Sequence, residues 1–241
     1  MPSQDLLKQR IHQGEVIIGV SAPITADRKR LEDILRQDTY DFVSVDSQHA
    51  AFNEERLIQF CAIAEELEIP VQFRIKHTRH AYLIGNLLDL GPSGVEVPQV
   101  EDEATVDEAL AYFYYPQFGN RSWGGAARRG IKSRDDRLTY AAWWNNYGVL
   151  WLQIESIEAI TRARKLAKPG VDCLSFGPSD LSFSLEAHPE HPFKTVDDCV
   201  RHVVQQLKGS DTKVCFRNYT PDLRDKYINM GVTVLLERPR S

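Results

Sequence analysis

Eight short apolar runs, each bounded by polar or turn-forming residues, recur along the chain at positions 16–20, 41–45, 71–75, 94–98, 149–154, 171–176, 213–216 and 232–236. Their β-branched content, clearest in Val16-Ile17-Ile18-Gly19-Val20, suits buried strands. The segments between them carry apolar residues at helical spacing. Leu57, Ile58, Phe60, Cys61, Ile63 and Ala64 make one face, with Glu54, Glu55, Glu65 and Glu66 on the other, and residues 82–88 make a second such segment. A short helix over 6–12 precedes the first strand. Alternation of strand and helix predicts a parallel sheet with right-handed crossovers. Eight strands fit a closed (β/α)8 TIM barrel, one domain over residues 1–241. An open dinucleotide-binding sheet has no support, because Gly19 leads into Ser21-Ala22-Pro23 and no glycine-rich turn. Two irregularities interrupt the pattern. The gap between the fourth and fifth strands is about twice the usual spacing and holds the glycine- and arginine-bearing stretch 114–130, which reads as a binding loop or lid. After Leu236 only five residues follow, so the eighth helix of a full barrel is missing.

Composition narrows the function classes. A chain of 241 residues, 42% of them hydrophobic, can bury a full core. A formal charge of −5 argues against nucleic acid or an anionic membrane as the main partner. No stretch approaches the roughly 20 apolar residues of a membrane span, and the N-terminus lacks the apolar centre of a signal peptide. These features predict a cytoplasmic protein. Cys61, Cys173, Cys199 and Cys215 lie in apolar runs without a CxxC pair, which reads as buried thiols.

Polar residues become informative by position, since the active site of such a barrel lies where the strands end. The second strand ends in Asp46-Ser47-Gln48-His49, the third carries Arg74, the fifth ends in Glu155, and the sixth leads through Gly177-Pro178-Ser179 to Asp180. Glu155 and Asp180 on one rim make a hard, oxygen-rich pair for a divalent metal. Each acid alone also suits a helix start, and Arg74 could simply pair with Glu96 on the next strand. Together the residues match one chemical problem, the enolisation of a 2-oxo acid. The metal acts as Lewis acid, Arg74 stabilises the enolate charge, and His49 moves the proton. Gly177 and Ser179 can offer backbone N–H groups to the substrate carboxylate. His77 and His80 read as a solvated helix cap, His188 and His191 as part of a proline-stiffened loop, and Arg121, Arg128 and Arg129 as a solvated face with anion binding as the alternative.

In this order the motifs resemble the HpcH/HpaI aldolases, metal-dependent class II pyruvate aldolases related to the citrate lyase β-subunit. The resemblance rests on Asp41-Phe42-Val43-Ser44-Val45-Asp46 followed by Gln48-His49-Ala50, on Arg74, on Leu87-Leu88-Asp89-Leu90-Gly91, on Tyr115-Pro116 through Arg121-Ser122-Trp123-Gly124, and on Gln153-Ile154-Glu155-Ser156 and Gly177-Pro178-Ser179-Asp180. It implies Glu155 and Asp180 as ligands of a divalent metal (Mg, Mn or Co), His49 and Arg74 as catalytic residues, and Asp89 as the carboxylate that pairs with the histidine. Arg74, Gln153, Gly177 and Ser179 are the expected substrate contacts. A homo-oligomer, trimer or hexamer, is also implied, although the helix exchanged between subunits in relatives has no counterpart here. Gln48 stands where the family often has Glu, which removes a negative charge near the metal. The expected activity is reversible cleavage of a 4-hydroxy-2-oxo acid to pyruvate, or a close 2-oxo acid, and an aldehyde, with the 114–130 stretch helping to select that aldehyde. The alternatives are an acyl-CoA lyase of the citramalyl or malyl type and a non-catalytic 2-oxo acid binding protein.

Overall fold

The eight apolar runs become β1 (Ile17–Ser21), β2 (Phe42–Asp46), β3 (Val71–Arg74), β4 (Gly94–Val97), β5 (Val149–Ile154), β6 (Cys173–Phe176), β7 (Lys213–Tyr219) and β8 (Val234–Glu237). They pair in chain order, all parallel, and β8 closes on β1. The closed parallel ring with helices outside it is the (β/α)8 architecture expected from the sequence. The computed structural model describes residues 7–134 and 136–240. Among these, no helix is long and apolar enough to cross a membrane, and residues 238–240 after β8 form no helix.

Most strands lie within two residues of their expected positions. The largest departure is β7, which continues through Arg217-Asn218-Tyr219, three polar residues that mark the end of an apolar run in the sequence. The ladder continues because Arg217 finds a carboxylate inside the barrel. The helix Glu54–Glu66 forms as its periodicity requires, with the Asn53 side chain accepting from the Arg56 N–H at its start. The segment expected over 82–88 divides into a 3-10 turn, Thr78–Leu83, and a short helix, Ile84–Leu88. His77 caps that turn by accepting from the Arg79 N–H, in line with the cap reading.

Alternate strand residues face into the barrel. At the N-terminal end these are Ile17, Phe42, Val149, Trp151, Cys173, Cys215 and Val234, which pack as one cluster. The helix Leu7–Gln13 closes that end by adding Leu7 and Ile11. It is tied down through the fully buried Asp172, which meets Lys8 at 3.2 Å and the His12 Nε2 at 2.7 Å. A separate, larger apolar layer lies between the strands and the outer helices. All four cysteines are buried and free, as expected.

Phe42 and Trp151 meet edge to face at 5.1 Å inside the ring. The space Phe42 occupies exists because residue 19 is glycine, since a Cβ there would run into the Phe42 ring. Gly19→Ala should therefore overpack the barrel and lower the unfolding free energy by about 1–3 kcal/mol. Urea denaturation measures it, and an unchanged midpoint would show that the ring has room to move.

Candidate active site at the C-terminal rim

The same inward positions change character along the barrel axis. One step beyond the apolar cluster they are Ser21, Ser44, Asp46, Arg74, Gln153 and Arg217, and these line a cleft of about 370 Å³ at the C-terminal end. The loop after β2 brings His49 to the same cleft, and the turn after β6 brings Gly177, Pro178, Ser179 and Asp180. Six of the residues singled out from sequence, His49, Arg74, Gln153, Gly177, Ser179 and Asp180, thus share one cleft.

Arg74 is held rigidly. Its Nε and Nη2 donate to the two carboxylate oxygens of Asp46 at 2.8 and 2.7 Å, and its Nη1 donates to Gln153 Oε1 at 3.2 Å. Asp46 and Arg74 are register partners on neighbouring strands, so the fork-to-fork pair follows from the ladder itself. Asp46 also accepts from the backbone N–H of Gln48 at 2.9 Å and of His49 at 3.4 Å, which shapes the turn that carries the histidine. Burial raises the Asp46 carboxyl, but the Arg74 guanidinium and these N–H groups outweigh it and hold it below its ordinary value. The possible Arg74–Glu96 pair does not form. Glu96 instead binds Arg217 at 2.6 Å and accepts from the Ser175 hydroxyl at 2.5 Å, all within the barrel. Arg217 was not among the residues singled out from sequence, and Asp46 and Glu96 were given no role at the site. Their shared signal was a charge at an inward-facing position of an apolar strand.

Glu155, 6% exposed, sits behind Gly177. A Cβ at residue 177 would collide with its carboxylate and with the Gln153 amide, so only glycine lets the β6 turn pass over both. Among the described residues neither carboxylate oxygen of Glu155 has a hydrogen-bond partner, although both are buried. Burial, then the nearby Asp180 and Glu96 charges, push its pKa up to about 8 against the weaker pull of Arg74 and Arg217. A buried carboxylate without a partner is costly. With Asp180 beside it, this donor set fits a hard divalent cation held by oxygen. Among the described residues no three His, Cys, Asp or Glu side chains converge as a ligand cluster, so two carboxylates would leave the other coordination positions to water and substrate.

Asp89 and the 114–130 stretch meet through Arg121. Asp89 follows the helix Ile84–Leu88, where the dipole disfavours a carboxylate and a cationic partner is expected. That partner is Arg121, whose Nη2 donates to an Asp89 carboxylate oxygen at 2.9 Å; among the described residues of this chain no Asp89–His49 hydrogen bond accompanies it. Burial keeps the Asp89 carboxyl above its ordinary value despite Arg121. The arginines read as a solvated face are instead buried, at 1% exposure for Arg121, 6% for Arg128 and 3% for Arg129. Arg121 lies against the Tyr115 and Trp144 rings at 4.8 and 4.5 Å, and Arg128 covers Trp123 at 3.9 Å. None of residues 114–130 is among those lining this chain's cleft.

The C-terminal rim of the barrel thus gathers an arginine, a histidine and the Asp180 carboxylate, with Glu155 buried behind Gly177. Comparison with known proteins places it in a class. Residues 24–224 match the HpcH/HpaI aldolase/citrate lyase family; the chain belongs to that family and is a carbon–carbon lyase. The 2-keto-3-deoxy-L-rhamnonate aldolase of Escherichia coli strain K12 is 25% identical over 232 residues, covering 93% of this chain and 83% of that protein. Among solved structures, an HpcH/HpaI aldolase from Desulfitobacterium hafniense DCB-2 superposes with a TM-score of 0.81 at 23% identity, over 96% of this chain and 89% of that one. The citrate synthase SbnG superposes at 0.79 and 23% identity, over 97% and 90%. Both structures share the fold.

The buried Glu155 carboxyl gives the metal-free protein a distinctive pH dependence. Its pKa is raised on folding from 4.5 to about 8, so the native state binds the extra proton between those values. The stability this contributes is fully present below pH 4.5 and is lost as pH rises through about 8. Thermal melts of the chelator-treated protein should fall across that window, and Glu155→Gln should flatten the fall. A wild-type profile no steeper than that of Glu155→Gln would contradict the assignment.

Proposed function

We propose that this protein is a metal-dependent aldolase that reversibly cleaves a 4-hydroxy-2-oxo acid to pyruvate, or a close 2-oxo acid, and an aldehyde. The observation that carries the reading is the buried, unpartnered Glu155 carboxylate beside Asp180, in reach of the cleft that Arg74 and His49 line. Glu155 and Asp180 would hold a divalent cation such as Mg²⁺, Mn²⁺ or Co²⁺, which when bound supplies Lewis acidity at the 2-oxo group. The family membership and the similarity to a 2-keto-3-deoxy acid aldolase support the same reaction class.

The side chains of this chain divide the remaining work. His49 takes the proton from the substrate 4-hydroxyl as the C3–C4 bond breaks, which leaves the aldehyde and the enolate of the 2-oxo acid. Arg74 faces the enolate oxygen with a charge already oriented by Asp46 and Gln153, so stabilising it needs no reorganisation. The proton returns to C3 to give the 2-oxo acid. Gly177 and Ser179 offer backbone N–H groups to the substrate carboxylate at the start of the helix Pro178–Ala187. The Asp46 pairing explains why lysine would be a poor substitute at residue 74, since an ammonium cannot satisfy two carboxylate oxygens and Gln153 in one plane.

The reading predicts exchange of pyruvate methyl protons in D₂O, followed by NMR, which reports enolisation without any aldehyde. EDTA should abolish the exchange, and added Mg²⁺, Mn²⁺ or Co²⁺ should restore it. Exchange that survives EDTA intact would refute it. Arg74→Lys should slow exchange by about 10²–10³-fold, the range for losing one oriented stabilising group, and a change below threefold would remove Arg74 from the enolate.

A further inference from the structure

The strands themselves place two guanidiniums in the cleft. Arg74 belongs to β3 and Arg217 to β7, strands four apart in a closed ring of eight, so the two stand on opposite walls. Arg217 is held as firmly as Arg74. Its Nη2 donates to Glu96 Oε2 at 2.6 Å and its Nη1 to the Ser175 hydroxyl at 3.3 Å, while that hydroxyl donates to Glu96 Oε1 at 2.5 Å. Glu96 lies on β4 and Ser175 on β6, so the three side chains span the barrel interior. Glu96 is fully buried and is not among the residues lining the cleft, whereas Arg217, 8% exposed, reaches it. The ion pair is thus a fixed dipole with its positive end toward the cleft. Among the described residues the Arg217 Nε has no hydrogen bond, yet it is not one of the side-chain atoms buried without a partner, so it keeps accessible surface that opens onto the cleft.

Filling space does not require this arrangement. Two residues back on the same strands, Cys173 and Cys215 fill the interior as part of the apolar cluster. Taking two charges out of water is costly, and apolar residues of similar volume commonly replace a buried ion pair without loss of stability. The charge therefore points to a task at the cleft rather than to packing. Ser175 gives the location. It stands two residues before Gly177, on the strand whose turn offers the Gly177 and Ser179 N–H groups to the substrate carboxylate. Those donors are neutral. Arg217, tied to Ser175, brings a full positive charge and unused donors to the same wall, and a charged donor binds a carboxylate more strongly than a neutral one.

Resting on the aldolase reading, we propose that Arg217 binds the carboxylate of the 2-oxo acid, and that Glu96 and Ser175 are the residues that position it. The substrate then lies between two oriented guanidiniums, Arg74 at its 2-oxo oxygen and Arg217 at its carboxylate, with Glu155 and Asp180 on the wall between them. Arg217 acts on a group that carries its charge before, during and after bond cleavage. Its contribution is to binding, equal in the ground state and the transition state, whereas that of Arg74 grows as the enolate forms.

The test measures binding of oxalate, a planar analogue of the enolate, by calorimetry on the Mn²⁺-loaded protein, together with kcat and KM for pyruvate exchange in D₂O. Arg217→Met alone would strand the Glu96 charge, so both partners are changed. Glu96→Leu/Arg217→Met replaces the pair by apolar volume, and Glu96→Gln/Arg217→Gln keeps a hydrogen-bonded pair without charge; urea denaturation checks the fold of each. Oxalate affinity should fall about tenfold or more in the folded double variants, the size of one charge-assisted hydrogen bond. The KM for pyruvate should rise by a similar factor, with kcat changed by less than about threefold. Arg217→Lys, which keeps a charge beside Glu96, should retain part of the affinity. Oxalate binding within about threefold of wild type in either folded double variant makes the pair a structural strut and overturns the proposal. So does a fall in kcat at unchanged KM, which would move Arg217 from the carboxylate to the enolate. The wild type separates the two levels: pyruvate exchange together with oxalate binding that the double variants leave unaltered removes the Arg217 assignment and leaves the aldolase reading standing, while a wild type that neither exchanges pyruvate nor binds oxalate removes both.

Discussion

Closing eight parallel strands into a ring leaves its interior to the side chains of alternate positions, and that interior must be filled. This constraint governs the molecule from end to end. At the N-terminal end the inward residues are apolar, and the helix Leu7–Gln13 seals them with Leu7 and Ile11. Further along the same strands the inward residues become serine, glutamine and charged side chains, and these line the cleft. The apolar half supplies stability. The polar half, fixed in the same ladder, supplies a rigid wall of functional groups.

Charges inside such a wall cannot stand alone, because the surroundings do not solvate them as water does. The ladder resolves most of them in neighbouring pairs. Asp46 opposes Arg74 in register, and Glu96 reaches Arg217 and Ser175 across the interior. Glu155 is the exception, with burial and two carboxylate neighbours against it and, among the described residues, no hydrogen bond of its own. A group held this way either keeps its proton or shares a cation, which links the protonation of the core to occupation of the site.

The stretch between the fourth and fifth strands obeys a different economy. Arg121 and Arg128 are covered by Tyr115, Trp123, Tyr140 and Trp144, and Arg121 also meets Asp89. Planar guanidinium groups stack on these rings while keeping charge and donors at their edges. The region is therefore an aromatic and cationic layer against the helix Arg137–Tyr147, away from the cleft. Asp89 belongs to that layer in this chain.

Local pattern alone determined a good deal of this protein. Eight β-branched runs alternating with helical periodicity were sufficient for the barrel, because strand and helix periods are written in neighbouring residues. Position at the strand ends was sufficient to gather His49, Arg74, Gln153, Gly177, Ser179 and Asp180 at one rim, because parallel strands all finish on the same side. Which charge meets which was decided only in three dimensions. Arg74 chose Asp46 over Glu96, Asp89 chose Arg121, β7 ran on through Arg217 to a strained Tyr219, and Arg238 came to rest on the Tyr219 ring. Those outcomes depend on register, on a bulge and on distances between residues far apart in the chain, and no spacing within a single segment carries that information.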